Sequence, residues 1–348
     1  MSNKENSLLI GAITGICLIA ASAWLGRSRK KYSFEDKVVL ITGGSRGLGL
    51  VLARTFAKEG AKLAICARDR QELAQARENL ELQYGAEVID ITCDVTIEDQ
   101  VNRMIETIYA HYGEIDVLVN NAGIIQVGPL AVQTRKDFAD SLAVHFWGPF
   151  NTIQAVLPIM RKQGEGRIIN ISSVGGKVAV PHLAPYCAGK FALVGLSTAM
   201  HAELAKENIK VTTVCPGLMR TGSHVNALFK GQNELEFALF SIMNALPVTS
   251  ISAEKAASEI VEACRRGDAE KIISIQAELA ITANALFPEL VAEAAEIINY
   301  FLPEKGGIGK NKALGKESTS FISPSILTWL IDQASIENNE LKGSDQTI

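Results

Sequence analysis

The sequence predicts an α/β fold, a doubly wound sheet of seven mostly parallel strands with helices on both faces. Three observations carry that prediction. From Lys37 onward short apolar runs alternate with longer stretches of helical period, the pattern of repeated βαβ units. The first apolar run ends in closely spaced glycines and turns directly into a helical pattern. And 348 residues with 47% hydrophobic and 21% charged content are enough for a substantial core.

The strands are read as Val38 to Ile41, Lys62 to Cys66, Glu87 to Thr92, Ile115 to Val119, Arg167 to Ile171, Lys210 to Val214 and Lys271 to Ile275. No solenoid-length repeat and no Gly/Ser or Pro-rich linker interrupts the chain before about Pro303. The formal net charge is −4 and no Lys/Arg stripe runs through this region, which argues against a nucleic-acid partner. Six cysteines without a C-x-x-C pair sit mostly in apolar runs. They read as reduced core residues, not as a metal site or a disulfide framework.

Ahead of this domain, Leu8 to Leu25 is an uncharged, mostly apolar run of 18 positions. As a helix it would extend roughly 27 Å, nearly the hydrocarbon thickness of a bilayer. Arg27, Arg29, Lys30 and Lys31 follow it at once. The competing reading is a cleaved secretory signal ending at Ala21-Ser22-Ala23. The length of the run and basic residues after it, not before it, favour a transmembrane helix. The expectation is a single-pass membrane protein with its catalytic domain on the cytoplasmic side. The boundaries expected are residues 1–31 for the anchor and its basic flank, 32–276 for the α/β domain, 277–302 for an apolar helical extension and 303–348 for a mostly polar tail. The extension, broken by Pro288, reads as two short helices that cover the end of the sheet or form a subunit interface; lying on a membrane or roofing a lipophilic site are the alternatives. The tail reads as poorly ordered apart from a short apolar piece near Ile326 to Ile331.

Thr42-Gly43-Gly44-Ser45-Arg46-Gly47-Leu48-Gly49 joins the first strand to the helical run from Leu50. Such a loop offers bare backbone N–H groups and the positive end of a helix dipole to an anion, so it reads as a dinucleotide pyrophosphate cradle. Gly43 permits the tight turn, Gly47 lets the backbone approach the pyrophosphate and Gly49 allows the helix to pack closely. Asn120-Asn121-Ala122-Gly123 follows the fourth strand, Ser173 follows the fifth, and Tyr186-Cys187-Ala188-Gly189-Lys190 begins thirteen positions after Ser173. Together these residues resemble the short-chain dehydrogenase/reductase family, over about Lys37 to Ile275.

That resemblance implies a Rossmann-like domain and a nicotinamide cofactor. It implies that Ser45, Arg46 and Leu48 join the glycines at the cofactor, that Asp94 and Val95 meet the adenine, and that Asn120 and Ala122 line its ribose. Pro216, Gly217 and Thr221 lie over the carboxamide. At the end of the second strand Ala67 takes the place of the acid that would hold the ribose of NAD; Arg68 and Arg46 converge there, which favours NADP (NADPH) over NAD. Asp69, one register step away, keeps NAD as the lesser reading. Tyr186 and Lys190 are four apart and share one helix face, so the ammonium can favour the phenolate. Tyr186 is then the general acid–base, Lys190 also holds the nicotinamide ribose, and Ser173 holds the substrate oxygen.

The family's tetrad asparagine is replaced by His145. A histidine can donate, accept and titrate near neutrality, so a working proton relay is expected; a packing residue without a relay is the alternative. Gly222 to about Leu246 reads as an apolar substrate lid, which points to a lipophilic ketone or alcohol. The rival function is a catalytically impaired NADP-binding membrane scaffold or redox sensor. A homo-oligomer is compatible with either.

Overall fold

The structure, a computed structural model, describes residues 32–341. Seven strands form the main sheet: β1 Val38–Thr42, β2 Lys62–Ala67, β3 Val88–Thr92, β4 Val117–Asn120, β5 Gly166–Ile171, β6 Ile209–Pro216 and β7 Glu270–Ile273. Their spatial order is β7-β6-β5-β4-β1-β2-β3 and every pairing is parallel. The order reverses between β1 and β4, and the crevice that opens at such a reversal, outside the carboxyl ends of the strands, is where ligands bind in open parallel sheets. β1, Val-Val-Leu-Ile-Thr, is buried along its whole length because helices cover both faces.

The helices are α1 Gly47–Lys58, α2 Arg70–Tyr84, α3 Glu98–Tyr112, α4 Arg135–Leu142, α5 Gly148–Gln163, α6 Ala184–Leu204, α7 Asn233–Ala245, α8 Ala253–Arg266, α9 Ile275–Leu286, α10 Pro288–Tyr300 and α11 Trp329–Glu337. Asp69 starts α2 by accepting from the amides of Gln71 and Glu72, and Thr134 starts α4 with a reciprocal bond to Asp137. Val101, Met104, Ile105 and Ile108 of α3 and Ile153, Val156, Leu157 and Met160 of α5 pack onto Val38, Leu40, Ala64, Leu118 and Ile168 of the sheet. Each fully buried side chain of that size stabilises the fold by about 1.5–3 kcal/mol. Between α4 and α5 the turn Ala143–Trp147 is π-helical, one residue wider than the α-helix on either side.

Beyond the main sheet, Leu228–Phe229 lies between Gln126–Val127, which it meets in parallel, and Ala313–Leu314, which it meets antiparallel. The segment expected to act as a lid is thereby fixed to the loop after β4 and to the tail. The tail itself departs from the expected polar, poorly ordered end, because it carries α11 and packs it beside α7, burying Ile331, Ala334 and Ser335. The break at Pro288 falls where expected, and α10 buries none of its residues fully, leaving Leu290, Ile297, Ile298 and Phe301 exposed.

One set of expectations is corrected. Among the described residues no helix is long and apolar enough to cross a membrane. The most apolar pair, α9 and α10, have 12 and 13 residues, against the roughly 20 that a bilayer requires. The transmembrane helix, the single-pass placement with a cytoplasmic catalytic domain, and membrane partnership through the amino terminus are therefore withdrawn. The Leu8 to Leu25 run on which they rested lies outside the described residues.

Candidate active site

The carboxyl ends of the strands open into a cleft of about 650 Å³, and every expected site residue lines it except Gly49 and Asn120. Gly49 is the packing glycine: a Cβ there would overlap the carbonyl of Gly43. Gly43 has φ of +65° and a Cβ added to it would come 2.9 Å from the Cα of Ala122, so this turn admits only glycine. Asn120 is 3% exposed and fully engaged inside the protein. Parallel register sets it opposite Asn170, to whose Oδ1 it donates at 2.9 Å, while Thr152 donates to its own Oδ1 at 2.6 Å. Its neighbour Asn121 reaches the cleft instead and ties the glycine loop by donating to the carbonyls of Thr42 and Gly43, each at 3.1 Å.

Ser173 follows β5, and Tyr186 and Lys190 occupy the first two turns of α6. The three converge around Gly175, where an added Cβ would meet Tyr186 Cε1 at 3.3 Å and Ser173 Oγ at 3.5 Å. Lys190 is buried, lies 5.6 Å from the centroid of the Tyr186 ring and donates to the carbonyl of Ile171 at 2.8 Å. Burial lowers its ammonium to about 8. Burial lifts the Tyr186 phenol to about 12, and the adjacent Ser173 hydroxyl offsets part of that rise.

His145 stands in the π-helical turn with its ring edge against Tyr186, centroids 5.3 Å apart. The Ile124 amide donates to its Nε2 at 3.2 Å, so Nδ1 carries the proton and donates to Ser141 Oγ at 3.1 Å, which donates to the Pro185 carbonyl at 2.6 Å. Burial, then the Lys190 charge, hold the imidazole well below its ordinary range and therefore neutral. Both ring nitrogens are committed to protein partners.

At the far end of the cleft Ala67 closes β2 without a charge and Arg68 stands exposed at the rim. Arg46 points from the glycine loop to Glu72 Oε1 at 2.9 Å. The Asp69 carboxylate is turned to its own helix cap, and Asp94 Oδ1 accepts from the amide and hydroxyl of Thr96 at 3.0 and 2.7 Å. Thr221 is buried beside Ser223.

The cleft also holds residues that sequence reasoning missed, and they come from the tail. Glu340 lies against Gly47, close enough to overlap a Cβ placed there, and 3.3 Å from Arg46 Nε. The Gly47 amide donates to the Asn338 carbonyl at 2.8 Å. Asn226 of the lid donates to the Glu340 carboxylate at 2.7 Å, and Asn339 donates to the carbonyls of Ser45 and Glu72 at 2.9 and 3.2 Å. Burial raises the Glu340 carboxyl to about 7, against the pull of Arg46 and Asn226 and with the push of Glu72. A run of small polar residues carries no periodicity, so nothing in the tail's sequence signals these contacts. They also test the cradle: a carboxylate seats beside the start of α1 and the loop's first helical amide is satisfied by an oxygen, so the loop is built to accept a pyrophosphate.

A family model described as short chain dehydrogenase matches residues 37–230. The Anopheles gambiae dehydrogenase/reductase SDR family protein 7-like is 35% identical over 269 residues, 76% of this chain and 82% of that protein. Dehydrogenase/reductase SDR family member 7B of Danio rerio is 30% identical over 270 residues, 76% of this chain and 86% of its own. Among solved structures, L-sorbose reductase from Gluconobacter frateurii, complexed with NADPH and L-sorbose, superposes with a TM-score of 0.63 at 26% identity, covering 70% of this chain and 96% of the reductase. A short-chain dehydrogenase from Streptomyces avermitilis superposes with a TM-score of 0.67 at 29% identity, covering 78% and 99% of the respective chains.

Proposed function

This chain belongs to the short-chain dehydrogenase family, nicotinamide-dependent oxidoreductases, and from that premise we propose that it uses NADP to interconvert a carbonyl and a secondary alcohol on a lipophilic substrate. The observation that carries the proposal is the meeting of Ser173, Tyr186 and Lys190 in the same cleft as the glycine loop.

The nicotinamide supplies the hydride acceptor or donor when the cofactor is bound. The rest falls to the chain. Ser173 Oγ holds the substrate oxygen, and Tyr186 gives that oxygen a proton in reduction or takes one in oxidation. Lys190, near 8, titrates close enough to neutrality to exchange protons with its surroundings while its charge favours the Tyr186 phenolate. His145 serves as a neutral positioning residue that fixes the loop after β4 to the start of α6.

NADP is supported by the neutral Ala67, by Arg68 at the rim and Arg46 beside it, and by the NADPH held in the sorbose reductase. A lipophilic substrate is supported by Ile124, Ile125, Val144, Met219, Leu228 and Leu314 on the cleft wall. The test compares NADPH and NADH binding to wild type and Arg68→Ala, then follows NADPH consumption over a panel of ketones and aldehydes. NADPH should bind about tenfold more tightly than NADH, and Arg68→Ala should erode that margin. Equal affinity for the two in wild type removes the NADP assignment, and preferential turnover of small hydrophilic ketones removes the lipophilic one.

A further inference from the structure

The segment Trp329 to Leu341 joins two parts of the cleft that no other part of the described chain connects. At one end Asp332 of α11 meets the buried His224 of the lid at 3.2 Å, and Ser335 donates to the Gly222 carbonyl at 3.2 Å. At the other end Arg54 of α1 clasps the strap, donating to Asn338 Oδ1 at 3.1 Å and to the Glu337 carbonyl at 2.9 Å. Between these anchors the chain crosses the glycine loop, and what it places there has the chemistry of the anion that such loops bind. An oxygen, the Asn338 carbonyl, takes the Gly47 amide, and the Glu340 carboxylate sits over Gly47 and beside Arg46. A pyrophosphate on the N-terminus of α1 needs that same amide and that same bare Cα surface. The two occupants exclude each other.

We propose that residues 338–341 are a cofactor gate: seated, they fill the anion cradle of the glycine loop, and the dinucleotide binds only after they withdraw. The inference rests on the nicotinamide-cofactor reading of the cleft. A binding-competent state that is only fractionally populated weakens apparent affinity by that fraction, so loosening the strap tightens cofactor binding. This sense distinguishes a gate from a clasp, since a clasp closing over bound cofactor would lose affinity when loosened.

Two substitutions in the full chain loosen the seat. Glu340→Ala removes the carboxylate, and Asn339→Ala removes two hydrogen bonds from a residue whose φ of +58° alanine adopts poorly. Titration calorimetry with NADPH should give each variant a dissociation constant lower than wild type by about tenfold. Hydrogen exchange on unmutated protein supplies a readout that does not depend on any variant folding: amides of residues 335–341 should exchange faster at saturating NADPH than without it. Unchanged or weaker binding in both variants, or slower exchange of those amides with NADPH, overturns the gate. Failure of wild type to bind either NADPH or NADH overturns the cofactor reading itself and the gate with it, whereas intact binding with slower exchange removes the gate alone.

Discussion

The two ends of the cofactor cleft are built in different ways. The glycine loop is local: β1, eight residues of loop and α1 follow one another in the chain, and their partners lie close by, as Arg46 and Glu72 do at a separation of 26 residues. The cover over that loop is assembled from segments that meet only in three dimensions, with Asn226 and Glu340 separated by 114 residues and Arg54 and Asn338 by 284. The loop needs special backbone conformations that only certain residues adopt, so its sequence is constrained letter by letter. The cover needs only hydrogen-bonding side chains at the right place once the fold exists, and many sequences supply those.

If the local half carries the chemistry, its variants should give the larger effects. Tyr186→Phe keeps the ring and its packing against His145 but removes the only hydroxyl placed for proton transfer. It should cut kcat by about 10²-fold or more while leaving NADPH affinity within a few-fold, and steady-state kinetics with calorimetry will separate the two. Wild-type turnover in this variant would move the chemistry elsewhere.

A smaller effect is expected at His145, which links the two kinds of construction. His145→Leu strands the Ile124 amide and Ser141, a cost of about 1–3 kcal/mol, visible as a lower Tm and a lower kcat. His145→Asn retains a donor and an acceptor and should keep activity within a few-fold. Because the imidazole is held neutral, the pH profile of kcat should be the same for wild type and His145→Asn. An inflection near 6.5 that disappears in the asparagine variant would show that the histidine titrates in turnover.

The smallest effect belongs to the cover. The Glu340 carboxyl is raised from its ordinary 4.5 to about 7 when seated, so seating takes up a proton. The stabilisation it gives the seated strap is complete below about 4.5 and fades as pH rises through about 7. The groups facing it are Arg46 on the loop, Glu72 on α2 and the uncharged Asn226 on the lid. NADPH affinity of wild type should therefore improve several-fold from pH 6 to pH 8 relative to Glu340→Gln, whose amide does not titrate. Parallel pH dependences in the two proteins would disconnect the carboxyl from cofactor entry.

This difference in construction also explains what the sequence made legible. The seven strands, the glycine loop and the Ser173, Tyr186, Lys190 set were readable because each is written in neighbouring residues or fixed offsets. Asn120 was read as a cofactor residue because its motif adjoins the cleft, yet register turns it toward Asn170, and register between strands fifty residues apart is a tertiary fact. The membrane reading extended apolar length to topology, and the helices described are too short for it. The tail was read as polar and unstructured because Asn338, Asn339 and Glu340 have no pattern of their own; their partners Ser45, Gly47 and Asn226 supply the meaning.

The π-helical turn at Ala143–Trp147 makes this stretch sensitive to length as well as to identity. Removing any one of its residues would let the helix close into regular α geometry and rotate everything after it by about 100°. Thr152 would swing away from Asn120, and the apolar stripe of α5 from Ile153 to Met160 would face water. A single-codon deletion here would therefore do more damage than most substitutions, because it changes the phase of a helix and leaves its composition almost untouched.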